Sequence, residues 1–157
     1  SNGASTQPMN GRSAASGNRV PTVSSARGPW TPRKHHAGCG STVTGNTIRS
    51  NGTSAAGQVY GISAGKGCTV SGNTVDFNGD SAAGASVIGI MADEGSTVLG
   101  NTASNNGPQA TGSIVCGIRL SGNNFVSHNT ACNNAGKNAA ENLQKRANCT
   151  YGLNHAP

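Results

Sequence analysis

The carboxylates of Asp76, Asp80, Asp93, Glu94 and Glu141 are all that this 157-residue chain offers for acid–base catalysis. General acid–base chemistry needs such a group held within hydrogen-bond reach of the proton it moves, and no triad of these five converges in the sequence. Two of them instead fall at a fixed distance from a base: Asp76 lies 27 residues after Arg49, and Glu94 lies 28 after Lys66. On stacked elements each pair is an ion pair across a solvated face, contributing at most about 1 kcal/mol. Gathered in one place, Arg49, Asp76, Lys66 and Glu94 would form a sugar-binding cluster. No catalytic residue is assigned.

Metal and thiol chemistry is equally thin. His35 and His36 are adjacent and would need ligands from elsewhere, while His128 and His155 stand apart, so we expect no metal and no cofactor. Cys39, Cys68, Cys116, Cys132 and Cys149 are an odd number without a CxxC spacing, which indicates neither a zinc ribbon nor a complete disulfide framework. No His or Asp sits at a spacing that would activate Cys132 as a nucleophile. We expect Cys132 to pair with Cys149 and pin the C-terminal end, with free buried thiols as the alternative. The glycosylation acceptors at Asn51 and Asn148 receive no role, because sequons arise readily in so Asn-rich a chain.

The formal charge of +6 belongs to one region. Residues 1–36 carry Arg12, Arg19, Arg27, Arg33 and Lys34 with no acid, and the remainder sets six bases against five acids. We expect residues 1–36 to be a disordered basic leader or linker. Its RGPWTPRKHH run could touch phosphate without sequence specificity, so no specific nucleic-acid partner is expected. No apolar run approaches the roughly 20 residues that span a bilayer, and residues 1–30 lack the apolar stretch of a signal peptide. With 33 % hydrophobic and 3 % aromatic residues, any core must be thin and repetitive.

The elements that must position these groups emerge from a repeat. Segments starting at Gly61, Gly89 and Gly117 align without a gap at a period of 28, and a preceding copy ending at Tyr60 is one residue shorter. Each carries an apolar residue, then Asn, then a small or apolar residue, then Asn. The columns are Val43, Val70, Val98 and Val126; Asn46, Asn73, Asn101 and Asn129; Ile48, Val75, Ala103 and Ala131; and Asn51, Asn78, Asn106 and Asn134. A second apolar set alternates with period two, as in Tyr60, Ile62 and Ala64 or Ile88, Ile90 and Ala92. Strands this short cannot bury a face alone, so successive copies must stack. Stacking places equivalent side chains about 4.8 Å apart, with Val and Ile inside and the eight asparagines as amide ladders. Asn51-Gly52 and Asn78-Gly79 also suit hairpins in an antiparallel sandwich, but a sandwich does not require copies of one length. The threonine columns Thr42, Thr69, Thr97 and Thr47, Thr74, Thr102, Thr130 would suit ice binding only on one flat face. An Asn turn separates them, so we expect different faces.

The expected fold is all-β: a single-stranded parallel β-helix of about four 28-residue coils spanning 37–157, with a C-terminal cap from about 141. GSTVTGNT (40–47), GCTVSGNTV (67–75) and GSTVLGNTASNNG (95–107) resemble the right-handed parallel β-helix repeats of the pectate-lyase-like superfamily. The ending ENLQKRANCTYGLNHAP looks like that group's terminal cap. The resemblance covers about residues 37–157 and is specific for fold. An enzyme on that scaffold implies clustered Asp residues, or acids binding Ca²⁺ beside a base, acting on acidic polysaccharide. The functional expectation is a non-enzymatic, exported or surface-associated module, structural or carbohydrate-binding, with polysaccharide as its partner. The alternatives are a small polysaccharide lyase or hydrolase and an assembly subunit, since open solenoid ends invite end-to-end pairing. Monomer and end-to-end oligomer both stay open.

Overall fold

The computed structural model describes residues 35–52, 57–82, 86–111, 114–135 and 140–157. The expectation of a disordered leader falls on residues 1–34, outside the described residues, and on His35 and His36, which belong to the first strand. Fourteen short strands and no helix make up the described residues. They stack in three parallel sheets. The first holds β1 (His35–Ala37), β4 (Val59–Ala64), β7 (Val87–Ala92), β10 (Val115–Leu120) and β13 (Ala140–Gln144). The second holds β2 (Thr42–Thr44), β5 (Thr69–Ser71), β8 (Thr97–Leu99), β11 (Phe125–Ser127) and β14 (Thr150–Tyr151). The third holds β3 (Thr47–Arg49), β6 (Thr74–Asp76), β9 (Thr102–Ser104) and β12 (Thr130–Cys132).

The chain is therefore a parallel β-solenoid. Every strand pairs in parallel with its equivalent one circuit away, Val43 with Val70 and Val70 with Val98, for example. This excludes the hairpin alternative. The step is 27 residues from His35 to Ile62, 28 from Val59 to Val87 and 25 from Val115 to Ala140. Three circuits thus keep the period read from the sequence and the fourth is shorter. The shortening lies between the third sheet and the first: nine positions lead from Asn106 to Val115, but six from Asn134 to Ala140.

The core lies between the three sheets. Val70, Val75, Ile62, Ile90, Val98, Ile118 and Val126 are buried along its axis. A satellite cluster of Val59, Ala82, Val87, Ala110 and Val115 fills the side where the chain passes from the third sheet to the first. The expected alternation in the first sheet is broken there, because its pairing register skips Gly61 and Gly89. Ile62 and Ala64 enter the main core, whereas Tyr60 stays half-buried. The glycine is dictated by packing. A Cβ on Gly89 would stand 2.6 Å from the Gly117 carbonyl oxygen and 2.8 Å from Nδ2 of Asn106, so no larger residue leaves room for the ladder amide.

Bends recur at every fifth residue. Gly40, Gly45 and Ser50, then Gly67, Gly72 and Phe77, Gly95, Gly100 and Asn105, and Asn123, His128 and Asn133 all adopt φ between 51 and 72°. This left-handed conformation turns the chain sharply. A three-residue strand lies between successive bends, exposing its first and third residues and burying the second, as in β2 and β3.

Candidate functional site

Each bend is followed by a polar residue turned inward, and these residues fix the frame on which the outer side chains stand. Nδ2 of Asn46 donates to Oδ1 of Asn73 (3.0 Å), Asn73 to Asn101 (2.9 Å) and Asn101 to Asn129 (3.0 Å). The backbone N–H of each rung donates to the same oxygen. The second ladder runs from Asn51 to Asn78, Asn106 and Asn134 at 3.0, 3.0 and 2.8 Å. All eight asparagines singled out from the sequence are rungs. Two further rungs were missed: Asn154 below Asn129 (3.0 Å) and Asn142 below Asn134 (3.1 Å). Asn154 stands 25 residues away instead of 28 because the last circuit is shortened, whereas Asn142, only 8 residues away, reaches the ladder from β13 of the first sheet, at the register position of Gly117. A third inward column, Cys68, Ser96 and Asn124, also escaped notice because its residue types differ. The Ser96 hydroxyl accepts from the Cys68 N–H (3.1 Å) and donates to the Gly65 carbonyl (3.1 Å), and Asn124 Oδ1 accepts from the Ser96 N–H (2.7 Å).

On the outer side of the third sheet, Arg49, Asp76, Ser104 and Cys132 form one column. Arg49 Nη2 lies 3.0 Å from Asp76 Oδ2, while Asp76 Oδ1 accepts from Ser104 Oγ and Asn105 Nδ2, both at 3.1 Å. The guanidinium also lies 6.0 Å from the centroid of the Phe77 ring. The second pair, Lys66 Nζ to Glu94 Oε2 at 3.3 Å, occupies the corner between the first and second sheets. There Glu94 Oε1 accepts from Asn123 Nδ2 (2.8 Å), and Asp93 accepts from Ser121 (2.9 Å). The Asn123 amide first, and Lys66 second, hold the Glu94 carboxyl below the usual carboxylate range. Both ion pairs named from the spacing are thus formed, but not as one cluster. Two sharp bends, at Gly67 and Gly72, carry the chain from Lys66 around to Asp76.

The expected Cys132–Cys149 bridge is not formed: all five thiols are free. Cys132 stands on the outer column of the third sheet, whereas Cys149 precedes β14 in the second sheet and packs against the main core with Tyr151. The two therefore belong to different walls of the coil. Burial raises the Cys116 thiol to about 11. His128 occupies a left-handed bend, its Nδ1 2.7 Å from Ser127 Oγ, and His155 bridges to Thr130. Among the described residues no three His, Cys, Asp or Glu side chains gather as a metal site.

The two threonine columns lie on different sheets, as their separation by an Asn turn implies, and Phe125 interrupts the first of them. What the outer face offers is a set of hydroxyls and amides at a repeat of about 4.8 Å, held rigid by the ladders beneath. No protein-family model, curated protein or solved structure matches the chain.

Proposed function

We propose that this chain is a structural or carbohydrate-binding β-helix module, exported or surface-associated, and that it does not turn over a substrate. Support for the reading comes chiefly from how Asp76 is engaged: Arg49, Ser104 and Asn105 take both of its oxygens. A general base needs a lone pair directed at substrate, and a carboxylate bound three ways at an inter-coil contact is a brace. The columns Thr47, Thr74, Thr102 and Thr130 beside it give regularly spaced hydroxyls suited to a sugar polymer. Grouping the chain with the right-handed repeats of the pectate-lyase-like superfamily rests on the GSTVxGNT segments.

A glycan array probed with the purified chain, beside reducing-end and unsaturated-product assays on the same polysaccharides, tests this. Binding without product is the expected result. Product formation that disappears in Asp76→Asn or Lys66→Gln would replace the module by a lyase or hydrolase, and silence in both assays would favour a scaffold alone.

A further inference from the structure

The chain contains two phenylalanines, and neither belongs to the core. Phe125 is 46 % exposed on the second sheet, and Phe77 is 40 % exposed at the bend that follows β6. Phe77 is the less expected of the two. Its equivalents on the neighbouring coils are Ser50, Asn105 and Asn133, and all four residues hold φ between 51 and 54°. Asparagine tolerates this left-handed conformation because its short polar side chain can bond locally, whereas a bulky side chain is strained there. Burial does not account for an aromatic residue that accepts this strain and still stays partly open to water. Backbone strain of this kind clusters at ligand clamps.

The surroundings of the ring define the ligand. Thr47, Thr74, Thr102 and Thr130 line the outer side of the same sheet, one per coil at a step of about 4.8 Å. Between them and the bends run Arg49, Asp76, Ser104 and Cys132. Arg49 meets Asp76 through Nη2, its guanidinium lies 6.0 Å from the centroid of the Phe77 ring, and its side chain is 56 % exposed. A guanidinium carries five N–H donors, so Arg49 can serve Asp76 and a second acceptor together. Its charge is matched by Asp76, and no other Asp, Glu, Lys or Arg stands in the two outer columns or the bend column. The face therefore combines one aromatic surface, one donor cluster and a row of hydroxyls, without net charge.

We propose that this face binds an uncharged polysaccharide and that Phe77 is its stacking platform, an inference that rests on the carbohydrate-binding reading above. The face of an aromatic ring carries a negative quadrupole, which attracts the polarised C–H groups on the flat side of a pyranose. Arg49 donates to hydroxyls of the stacked sugar, and the threonine column meets the units beside it. An anionic chain finds no unpaired cation on this wall.

Affinity of the full chain for cellulose- and xylan-derived oligosaccharides, with polygalacturonate as the anionic comparison, tests this. Phe77→Asn should weaken binding of the neutral chains at least tenfold and yet raise the urea midpoint, because asparagine relieves the strained bend. Phe125→Ser, on another wall, should leave the affinity unchanged. Retained affinity in Phe77→Asn, or equal losses in the two variants, would overturn the platform and leave the carbohydrate-binding reading standing. A lowered urea midpoint in Phe77→Asn would also overturn it, because the ring would then be kept for packing. Binding confined to polygalacturonate would overturn the neutral class. Self-association of the parent chain that Phe77→Asn abolishes would assign the ring to a second copy. If the parent chain binds neither set, the reading beneath the proposal falls with it.

Discussion

The inner ladders and the outer ion pairs of this solenoid share one step of 27 or 28 residues, yet their surroundings make them energetically unlike. Asn73, Asn101 and Asn129 are buried, and Asn101 offers donors and an acceptor that neighbouring coils fully use. Water cannot replace a lost partner there, so the full desolvation cost of each orphaned group appears. The side chains of Lys66 and Glu94 are 68 and 50 % exposed, and water competes for them at every moment. Equal periodicity therefore does not imply equal contribution; burial decides.

Asn101→Leu breaks the inner side of this comparison most severely. It leaves the Asn73 N–H without its acceptor, takes one of two partners from Asn73 Nδ2 and from Asn129 Oδ1, which keep the Val43 carbonyl and the residue 101 N–H, and removes the side-chain donor to the Val70 carbonyl. With 1–3 kcal/mol for a buried unsatisfied group, we expect a loss of about 3 kcal/mol in urea unfolding. Thr102→Ala, one position along and facing outward, should stay within about 0.5 kcal/mol. Comparable losses from the two would mean that the ladder adds little beyond the strand pairing.

The ladders were legible in the sequence because they combine one residue type with one spacing. Where either condition fails, the pattern vanishes from view. Asn142 and Asn154 keep the type but not the spacing: the shortened last circuit moves Asn154, and Asn142 reaches its ladder from the first sheet. Cys68, Ser96 and Asn124 keep the spacing and change type, because hydroxyl, thiol and amide can each meet a backbone group at that corner. The outer pairs were legible as pairs, since opposite charges one period apart must meet on adjacent coils. Their grouping into one site was not, because it depends on how far the chain turns between Lys66 and Asp76, and the five-residue bend period was not recognised. Cys132 and Cys149 were misjudged for the same reason. Adjacency in a circuit requires the same corner, and these two stand on different sheets.

A thiol sharpens the comparison from the inner side. Cys116 is fully buried, and burial raises it to about 11. Its folded form holds the proton at pH values where the unfolded chain has released it, so its contribution is complete below the ordinary thiol range and is lost as pH rises toward 11. The loss should be on the order of 2 kcal/mol, given 1.36 kcal/mol per unit. Urea unfolding between pH 8 and 11, with Cys116→Ala as reference, isolates it: the difference between the two proteins should shrink or reverse as pH rises. A pH-independent difference would mean that the thiol ionises equally in both states.

The outer side should respond least. For Arg49 and Asp76, of which the arginine is 56 % and the aspartate only 13 % exposed, a double-mutant cycle with Arg49→Gln and Asp76→Asn should give a coupling of about 1 kcal/mol, at the upper end of the range for surface pairs. It should fall as salt is added, because screening acts on this face and not on the ladders. Lys66→Gln should leave the unfolding midpoint unchanged, although Glu94 still reports the contact. Its carboxyl titrates below the ordinary value, so the contact is present above that range and is lost as pH falls through the folded midpoint. Because the Asn123 amide is the largest single cause, ahead of the hydrogen bond and the charge of Lys66, Asn123→Ala should raise the Glu94 midpoint even with Lys66 in place, as read from its carboxyl carbon shift. An unchanged midpoint would make Lys66, and not the amide on the next coil, the principal partner of this acid. The corner would then be held by charge where the rest of the solenoid is held by hydrogen bonds.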